Sequence, residues 1–196
     1  MDINILLFDD YETLDVYGPV EVFGNIGKSY SLRYLSLEGG LIRSGHGFLV
    51  HTDPLQEFVE DGILFIPGGY GTRVLVSDGD YINMVRDLAS RSRYCLTVCT
   101  GSAILAKTGL LKGLKATSNK ISFDWVKTID HEVLWIKRAR WVADEKFWTS
   151  SGVSAGIDMA LGFVEMINGR GKALEAAHFM EYMWNENMEE DPFSAI

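Results

Sequence analysis

Short apolar runs alternate along this chain with longer segments in which apolar residues recur every three or four positions. The apolar runs predict strands at 3–8, 30–37, 63–66 and 94–98. The periodic segments predict helices at 13–23, 81–91, 102–108, 123–127, 153–167 and 172–184. Because short apolar strands alternate with helices, we expect an α/β fold with a mostly parallel sheet covered by helices on both faces.

Other local features refine this pattern. Pro19 predicts that the first helix starts late or is kinked, because proline removes a helical hydrogen bond. Residues 114–118 are compatible with a strand, and 138–152 predict two strands around an Asp-Glu turn. We expect the acidic tail 185–196 to lie on the surface, with Phe193 as its anchor. Since no repeat or linker interrupts the chain, residues 1–196 are expected to form one domain.

Chemically capable residues follow three of the predicted strands. In parallel sheets, ligands bind beyond the carboxyl ends of the strands. The residues that follow the strands at 3–8, 63–66 and 94–98 are four carboxylates, two glycines and a thiol: Asp9, Asp10, Glu12, Asp15, Gly68, Gly69 and Cys99. The sequence therefore predicts a site at one edge of the sheet.

Cys99 stands at the corner between a predicted buried strand and a helix. A helix N-terminus favours a thiolate, so we expect the pKa of this thiol to fall and its nucleophilicity to increase. The alternative is an inert cysteine that packs as a small apolar residue. Cys95 lies in the same strand about 13 Å away, too far for a disulfide, and is expected in the core.

Composition narrows the class of protein. A net charge of −9 argues against nucleic acid or an anionic membrane as the partner. No apolar run is long enough to cross a membrane, and the N-terminus lacks the features of a signal peptide. Together with only two cysteines, this leads us to expect a cytoplasmic protein. The cysteines and histidines lack zinc-site spacing, so no metal or other cofactor is expected.

Two other nucleophile arrangements deserve comparison with Cys99. The usual partner of a catalytic cysteine is histidine, but none of the four follows a strand at the predicted edge: His46, His51, His131 and His178. The segment "GVSAG" matches the serine elbow of α/β-hydrolases. The residues after Gly156 contain only one histidine, inside a predicted helix, so the serine alternative lacks partners.

Several segments together resemble one superfamily. They are "LLFDDYETLDVYGPVEVF", "ILFIPGGYG", "YCLTVCTGSAILAKTGLLKGLKATSNK", "WTSSGVSAGIDMALGFVE" and "EYMWNENMEEDPF". On these segments the chain resembles the ThiJ/PfpI superfamily, which shares its fold with class I glutamine amidotransferases. The resemblance implies a flavodoxin-like sandwich of helices around the sheet. "TLDVYGPVEVF" and "VCTGS" resemble the isonitrile hydratase branch and the N-terminal domain of some AraC-type regulators. We expect no such regulator, because no helix-turn-helix segment follows and the charge is acidic.

The resemblance assigns roles to individual positions. It makes Cys99 the elbow nucleophile, Asp15 the carboxyl group that hydrogen-bonds the thiol, and Thr100 the hydratase threonine beside it. The backbone N–H groups of Thr100 and Gly69 would then hold developing negative charge. Asn119 stands where many relatives have a histidine, which argues against peptidase chemistry. The substrate-binding set that we predict is Gly68, Gly69, Thr100, Asn119 and Ser151.

The resemblance implies a cysteine-dependent enzyme that acts on a small molecule and forms a homodimer. The favoured reaction is addition of water to an isonitrile, giving an N-substituted formamide. The alternative is a non-catalytic or redox-sensing protein in which Cys99 is oxidised. Glyoxalase-like, amidase and peptidase activities are less favoured, because no histidine base is in evidence.

Overall fold

The computed structural model describes residues 1–195, in which ten strands and seven α-helices are present. The strands are β1 (Asp2–Leu6), β2 (Ser31–Ser36), β3 (Gly40–Arg43), β4 (Leu49–Pro54), β5 (Ile63–Ile66), β6 (Tyr94–Thr97), β7 (Lys115–Ala116), β8 (Leu134–Trp135), β9 (Trp141–Asp144) and β10 (Phe147–Ser150). The helices are α1 (Thr13–Gly24), α2 (Gly71–Leu75), α3 (Gly79–Arg91), α4 (Gly101–Lys107), α5 (Phe123–Lys127), α6 (Ala155–Asn168) and α7 (Arg170–Phe179).

Eight strands form one sheet in the order β3-β4-β2-β1-β5-β6-β10-β9. The six central strands are parallel, and the edge strands β3 and β9 pair antiparallel with β4 and β10. Every residue of β5 and of β10 is buried, because helices pack on both faces of the sheet. The predicted α/β fold with a mostly parallel, covered sheet is therefore confirmed.

Helix α6 is a main organiser of the core. Its Phe163 ring makes edge-to-face contacts with Phe23 of α1, Tyr94 of β6 and Trp148 of β10, at centroid distances of 6.2, 5.1 and 5.3 Å. Such aromatic pairs contribute about 0.5–1.5 kcal/mol each beyond the area that they bury. The start of α6 lies against the end of β6, since a Cβ on Gly156 would lie 2.9 Å from Cγ1 of Val98.

Several element predictions need correction. Helix α1 begins at Thr13 and continues through Pro19, so it does not start late. The last helix ends at Phe179 instead of reaching residue 184, because Glu181 adopts a left-handed backbone with φ of +48°. The hairpin of β3 and β4 was not predicted, since most of its residues are partly or fully exposed and its pattern is not apolar.

The C-terminal tail is held by a different residue from the one predicted. Phe193 is 55% exposed, whereas the side chain of Asp191 is buried and its Oδ2 lies 3.5 Å from Nη1 of buried Arg140. Arg140 also donates to Oδ2 of Asp158 over 2.7 Å from Nε and 2.6 Å from Nη2. The buried arginine therefore joins the tail to α6. Among residues 1–195, no helix is long and apolar enough to cross a bilayer.

Candidate functional site

Cys99 lies at a strained corner between β6 and α4. Its φ is +56°, a left-handed conformation that costs a non-glycine residue about 1–3 kcal/mol. The backbone N–H of Cys99 donates to the Ser151 carbonyl over 3.1 Å. The Cys99 carbonyl accepts from the hydroxyls of Ser102 and Ser118 over 3.0 and 2.9 Å. These bonds hold the corner in the conformation that the sequence pattern predicts for a nucleophile elbow.

Glycine is required where β5 ends against this corner. A Cβ on Gly68 would lie 2.6 Å from the Thr100 nitrogen and 2.8 Å from Cβ of Cys99. Gly69 has φ of +124°, and a Cβ there would lie 2.3 Å from the Asp10 carbonyl oxygen. Gly68 therefore lets the backbone approach the Cys99 corner closely, and Gly69 lets it approach the segment that follows β1.

Asp15, in the first turn of α1, is completely buried at this edge. Its Oδ2 accepts a hydrogen bond of 2.8 Å from the Gly68 N–H, whereas its buried Oδ1 has no hydrogen-bond partner among the described residues. Burial, with a smaller contribution from the charge of Glu12, raises the pKa of Asp15 to about 8, although the Gly68 N–H, the Cys99 thiol and the Val153 N–H oppose the shift. The predicted pair of Asp15 and Cys99 is thus brought together.

The pKa of the Cys99 thiol is raised well above its ordinary value, first by burial and then by the charge of Asp15. The N–H groups of Thr100 and Val153 and the Thr100 hydroxyl act in the opposite direction. Our expectation that the helix N-terminus lowers this pKa is therefore wrong. Helix α4 has only 7 residues, so its dipole is weak, and desolvation of a thiol that is 7% exposed prevails.

Of the two N–H groups predicted to hold developing negative charge, that of Thr100 acts on the Cys99 sulfur, and that of Gly69 is hydrogen-bonded to a side chain. The Gly69 N–H donates to Oγ1 of Thr100 over 3.1 Å, and Thr72 places its hydroxyl 3.0 Å from the same oxygen. The donors beside the sulfur are the N–H groups of Thr100 and Val153. Sequence reasoning missed Val153, a β-branched residue with φ of +44°; its signal was the "SSGVSAG" turn before α6.

Asn119 and Ser151, both predicted to bind substrate, have different surroundings in the structure. Asn119 accepts from the Ser122 N–H over 2.9 Å, and its side chain occupies the space where a Cβ on Gly152 would lie. Ser151 lines a neighbouring cavity and holds the elbow through its carbonyl oxygen. Asn119 therefore forms a neutral wall of the site, whereas the bond of Ser151 to Cys99 is a backbone bond.

The other candidate nucleophile and base lie elsewhere. Ser154, the serine of "GVSAG", accepts from Arg140 over 3.4 Å and has no histidine beside it among the described residues. His46 is exposed, with Nδ1 at 2.9 Å from Oγ1 of Thr13 and 3.7 Å from Oε1 of Glu12. Since Glu12 lines the cavity of Cys99, His46 is nearer the site than its sequence position indicated.

Two adjoining cavities open at this edge of the sheet. The first, of about 360 Å³, is lined by Glu12, Gly69, Tyr70, Arg73, Cys99, Thr100, Asn119, Ile121, Ser122 and Val153. The second, of about 300 Å³, shares Asn119, Ile121 and Val153 with the first. Phe193 of the tail also lines the second cavity. The thiol therefore faces a space large enough for a small molecule.

Comparison with known proteins supports the resemblance found in the sequence. Over 183 residues the chain is 28% identical to the isonitrile hydratase of Pseudomonas putida, covering 93% of this chain and 78% of that protein. Over 154 residues it is 29% identical to a deglycase of Thermococcus kodakarensis, covering 77% of this chain and 89% of the relative. A crystal structure of a ThiJ/PfpI family protein from Pseudomonas syringae superposes with a TM-score of 0.84 at 30% identity, covering 92% of this chain and 74% of the other. A sequence profile of the DJ-1/PfpI family matches residues 1–166, and the chain therefore belongs to that family.

Proposed function

We propose that this protein is a cysteine-dependent enzyme that adds water to isonitriles and releases N-substituted formamides. The observation that supports it best is the Asp15 carboxyl group, completely buried against the Cys99 thiol. This arrangement provides a nucleophile and one proton-transferring group in a small cavity. The isonitrile hydratase of Pseudomonas putida, similar over 93% of this chain, supports the same reaction.

The reaction begins when the Cys99 sulfur, deprotonated within the pair, forms a bond to the terminal carbon of R–N≡C. Asp15 in its acid form donates a proton to that carbon, which gives the thioimidate R–N=CH–S. The Asp15 carboxylate then removes a proton from water as the water oxygen bonds to the carbon. Thr100 orients this water. Asp15 passes the proton to the substrate nitrogen and then takes the second water proton as the carbon–oxygen double bond forms and the carbon–sulfur bond breaks, which releases the Cys99 thiolate. The product is R–NH–CHO, and the Cys99–Asp15 pair returns to its starting state.

The proposal is tested by following loss of the isonitrile infrared band. Cys99→Ala and Asp15→Asn should each reduce turnover by at least about a hundredfold, because each removes a group that takes part in bond formation or proton transfer. Cys95→Ser is the matched control, since Cys95 is buried in β6, the strand before Cys99, and its thiol donates only to the Ala89 carbonyl over 3.7 Å. Equal loss in Cys95→Ser and Cys99→Ala would overturn the assignment.

A redox-sensing role is the second candidate. The N–H groups of Thr100 and Val153 and a protonated Asp15 surround the Cys99 sulfur and could hold the oxygens of a sulfinate. Mass spectrometry after mild peroxide distinguishes the two candidates. Selective oxidation of Cys99 in a protein that turns over no isonitrile would favour the sensor.

A further inference from the structure

Arg73 occupies a fixed position at the cavity that contains Cys99. It lies in α2, which begins directly after the glycine segment that follows β5, and it lines the same cavity as the thiol. Its guanidinium carbon lies 3.6 Å from the centroid of the Trp125 ring. Nη2 also donates a hydrogen bond of 3.1 Å to the Ser122 hydroxyl. Stacking on one face and this hydrogen bond orient a side chain that would otherwise be flexible.

This guanidinium has no carboxylate partner in the protein. Within residues 1–195, the ion pairs formed by arginines involve Arg33, Arg91, Arg93, Arg138, Arg140 and Arg170, and none involves Arg73. The side chain is exposed and lines the same cavity as the Cys99 thiol, in a chain whose net charge is −9. Its planar N–H groups match the two oxygens of a carboxylate.

Glu12 determines how an anionic ligand is oriented in this cavity. It lines the same cavity, and its charge raises the pKa of Asp15. A carboxylate on a ligand would be repelled near Glu12 and attracted near Arg73. The cavity therefore distinguishes the two ends of a substrate, with the reacting carbon at Cys99 and an anionic group at Arg73.

We infer that Arg73 is a specificity-determining residue that binds a carboxylate on the substituent of the substrate. This inference rests on the proposed function, and it narrows the substrate class to isonitriles that carry a carboxylate. Arg73 takes no part in bond formation, so a neutral isonitrile can still react at Cys99 without its help.

The test compares isocyano-carboxylates that have one to three methylene groups with their methyl esters. For the wild type, kcat/KM should favour the best carboxylate over its ester. Arg73→Met should reduce that ratio by about tenfold or more, the effect of about 1.4 kcal/mol, because only the carboxylate loses a charged partner. Arg73→Lys should recover part of the preference, since it keeps the charge but loses the planar fork.

The control variant is Arg93→Met, which removes an exposed arginine that pairs with Asp61 over 3.3 Å and does not line the cavity. Its carboxylate preference should equal that of the wild type. An unchanged ratio in Arg73→Met, with esters turned over normally, would overturn the role of Arg73 and leave the proposed function intact.

Binding measurements separate the two proposals if no isonitrile is turned over. In that case the proposed reaction fails, and calorimetric titration with N-formylglycine and with its amide tests Arg73 directly. Tighter binding of N-formylglycine that is lost in Arg73→Met would support the anionic site. Equal binding of the two compounds, or no binding of either, would overturn it.

Discussion

At the scale of single residues, the site depends on a carboxyl group and a thiol whose ionisation is suppressed by burial. Asp15 has a pKa raised to about 8, and Cys99 has a pKa raised well above its ordinary value. Below about pH 8 the pair therefore holds both protons. As the pH rises through that value, the pair loses one proton and acquires the single negative charge that nucleophilic attack requires.

The pH dependence of turnover follows from this titration. We expect kcat/KM for isonitrile hydration to increase as the pH rises through about 8, where Asp15 titrates. Glu12→Gln should move the midpoint to lower pH, because the charge of Glu12 raises the pKa of Asp15. A pH series on both proteins, with His178→Gln as a control, checks this. A midpoint that does not move in Glu12→Gln, or that is lost in His178→Gln, would contradict the pairing.

Asp15 also makes folding stability depend on pH. Its pKa is about 8 in the folded protein and about 3.9 in an unfolded chain, so the folded state binds more protons between these values. Stability contributed by Asp15 is thus greatest below about pH 4 and is lost as the pH rises towards 8. Asp15→Asn should therefore be more stable than the wild type at pH 8, by roughly 1–4 kcal/mol, with a smaller difference at pH 5.

Urea unfolding of both proteins at pH 5 and pH 8 measures this difference. The asparagine oxygen can still accept from the Gly68 N–H, so the fold should be retained while hydration is lost. A difference between the two proteins that is the same at both pH values would show that Asp15 is not protonated preferentially in the folded state.

At the scale of elements, the site depends on two segments that lie very close together, the one that follows β5 and the one that follows β6. Gly68→Ala should abolish turnover and lower stability, since its Cβ would lie 2.6 Å from the Thr100 nitrogen. We expect a loss of about 2 kcal/mol or more in the free energy of unfolding. Gly79→Ala is the matched control, because no atom lies within 4 Å of its added Cβ. Calorimetry and turnover of both variants provide the comparison.

At the scale of the whole molecule, the tail is joined to the body of the fold through a buried charge network. Asp191→Ala would leave Arg140 with one carboxylate partner instead of two and remove the hydrogen bond that Oδ1 of Asp191 accepts from the Phe193 N–H. We expect a loss of about 2–4 kcal/mol in stability, with weaker binding of ligands that reach Phe193. Glu190→Ala is the control, since its exposed pair with Arg138 is 3.7 Å long and contributes little.

The sequence predicted the parts of this molecule that follow from local pattern. The central strands, α1 and the position of Cys99 at a strand end all follow from apolar periodicity and glycine placement. The family resemblance placed Asp15 beside the thiol. What local pattern could not predict depends on distant contacts: the raised pKa of Cys99 results from burial by other elements, and the Val153 N–H reaches the sulfur only after α6 has packed.

The same long-range assembly affects the chain while it is being synthesised. Cys99 leaves the ribosome well before β10 and the turn at Val153, which later pair with and enclose its strand. Until those residues emerge, the thiol lacks the desolvation that raises its pKa and is open to oxidants. The nascent chain therefore carries a more ordinary and more accessible cysteine than the folded protein. Conditions that slow translation between β6 and α6 should increase oxidative damage at Cys99.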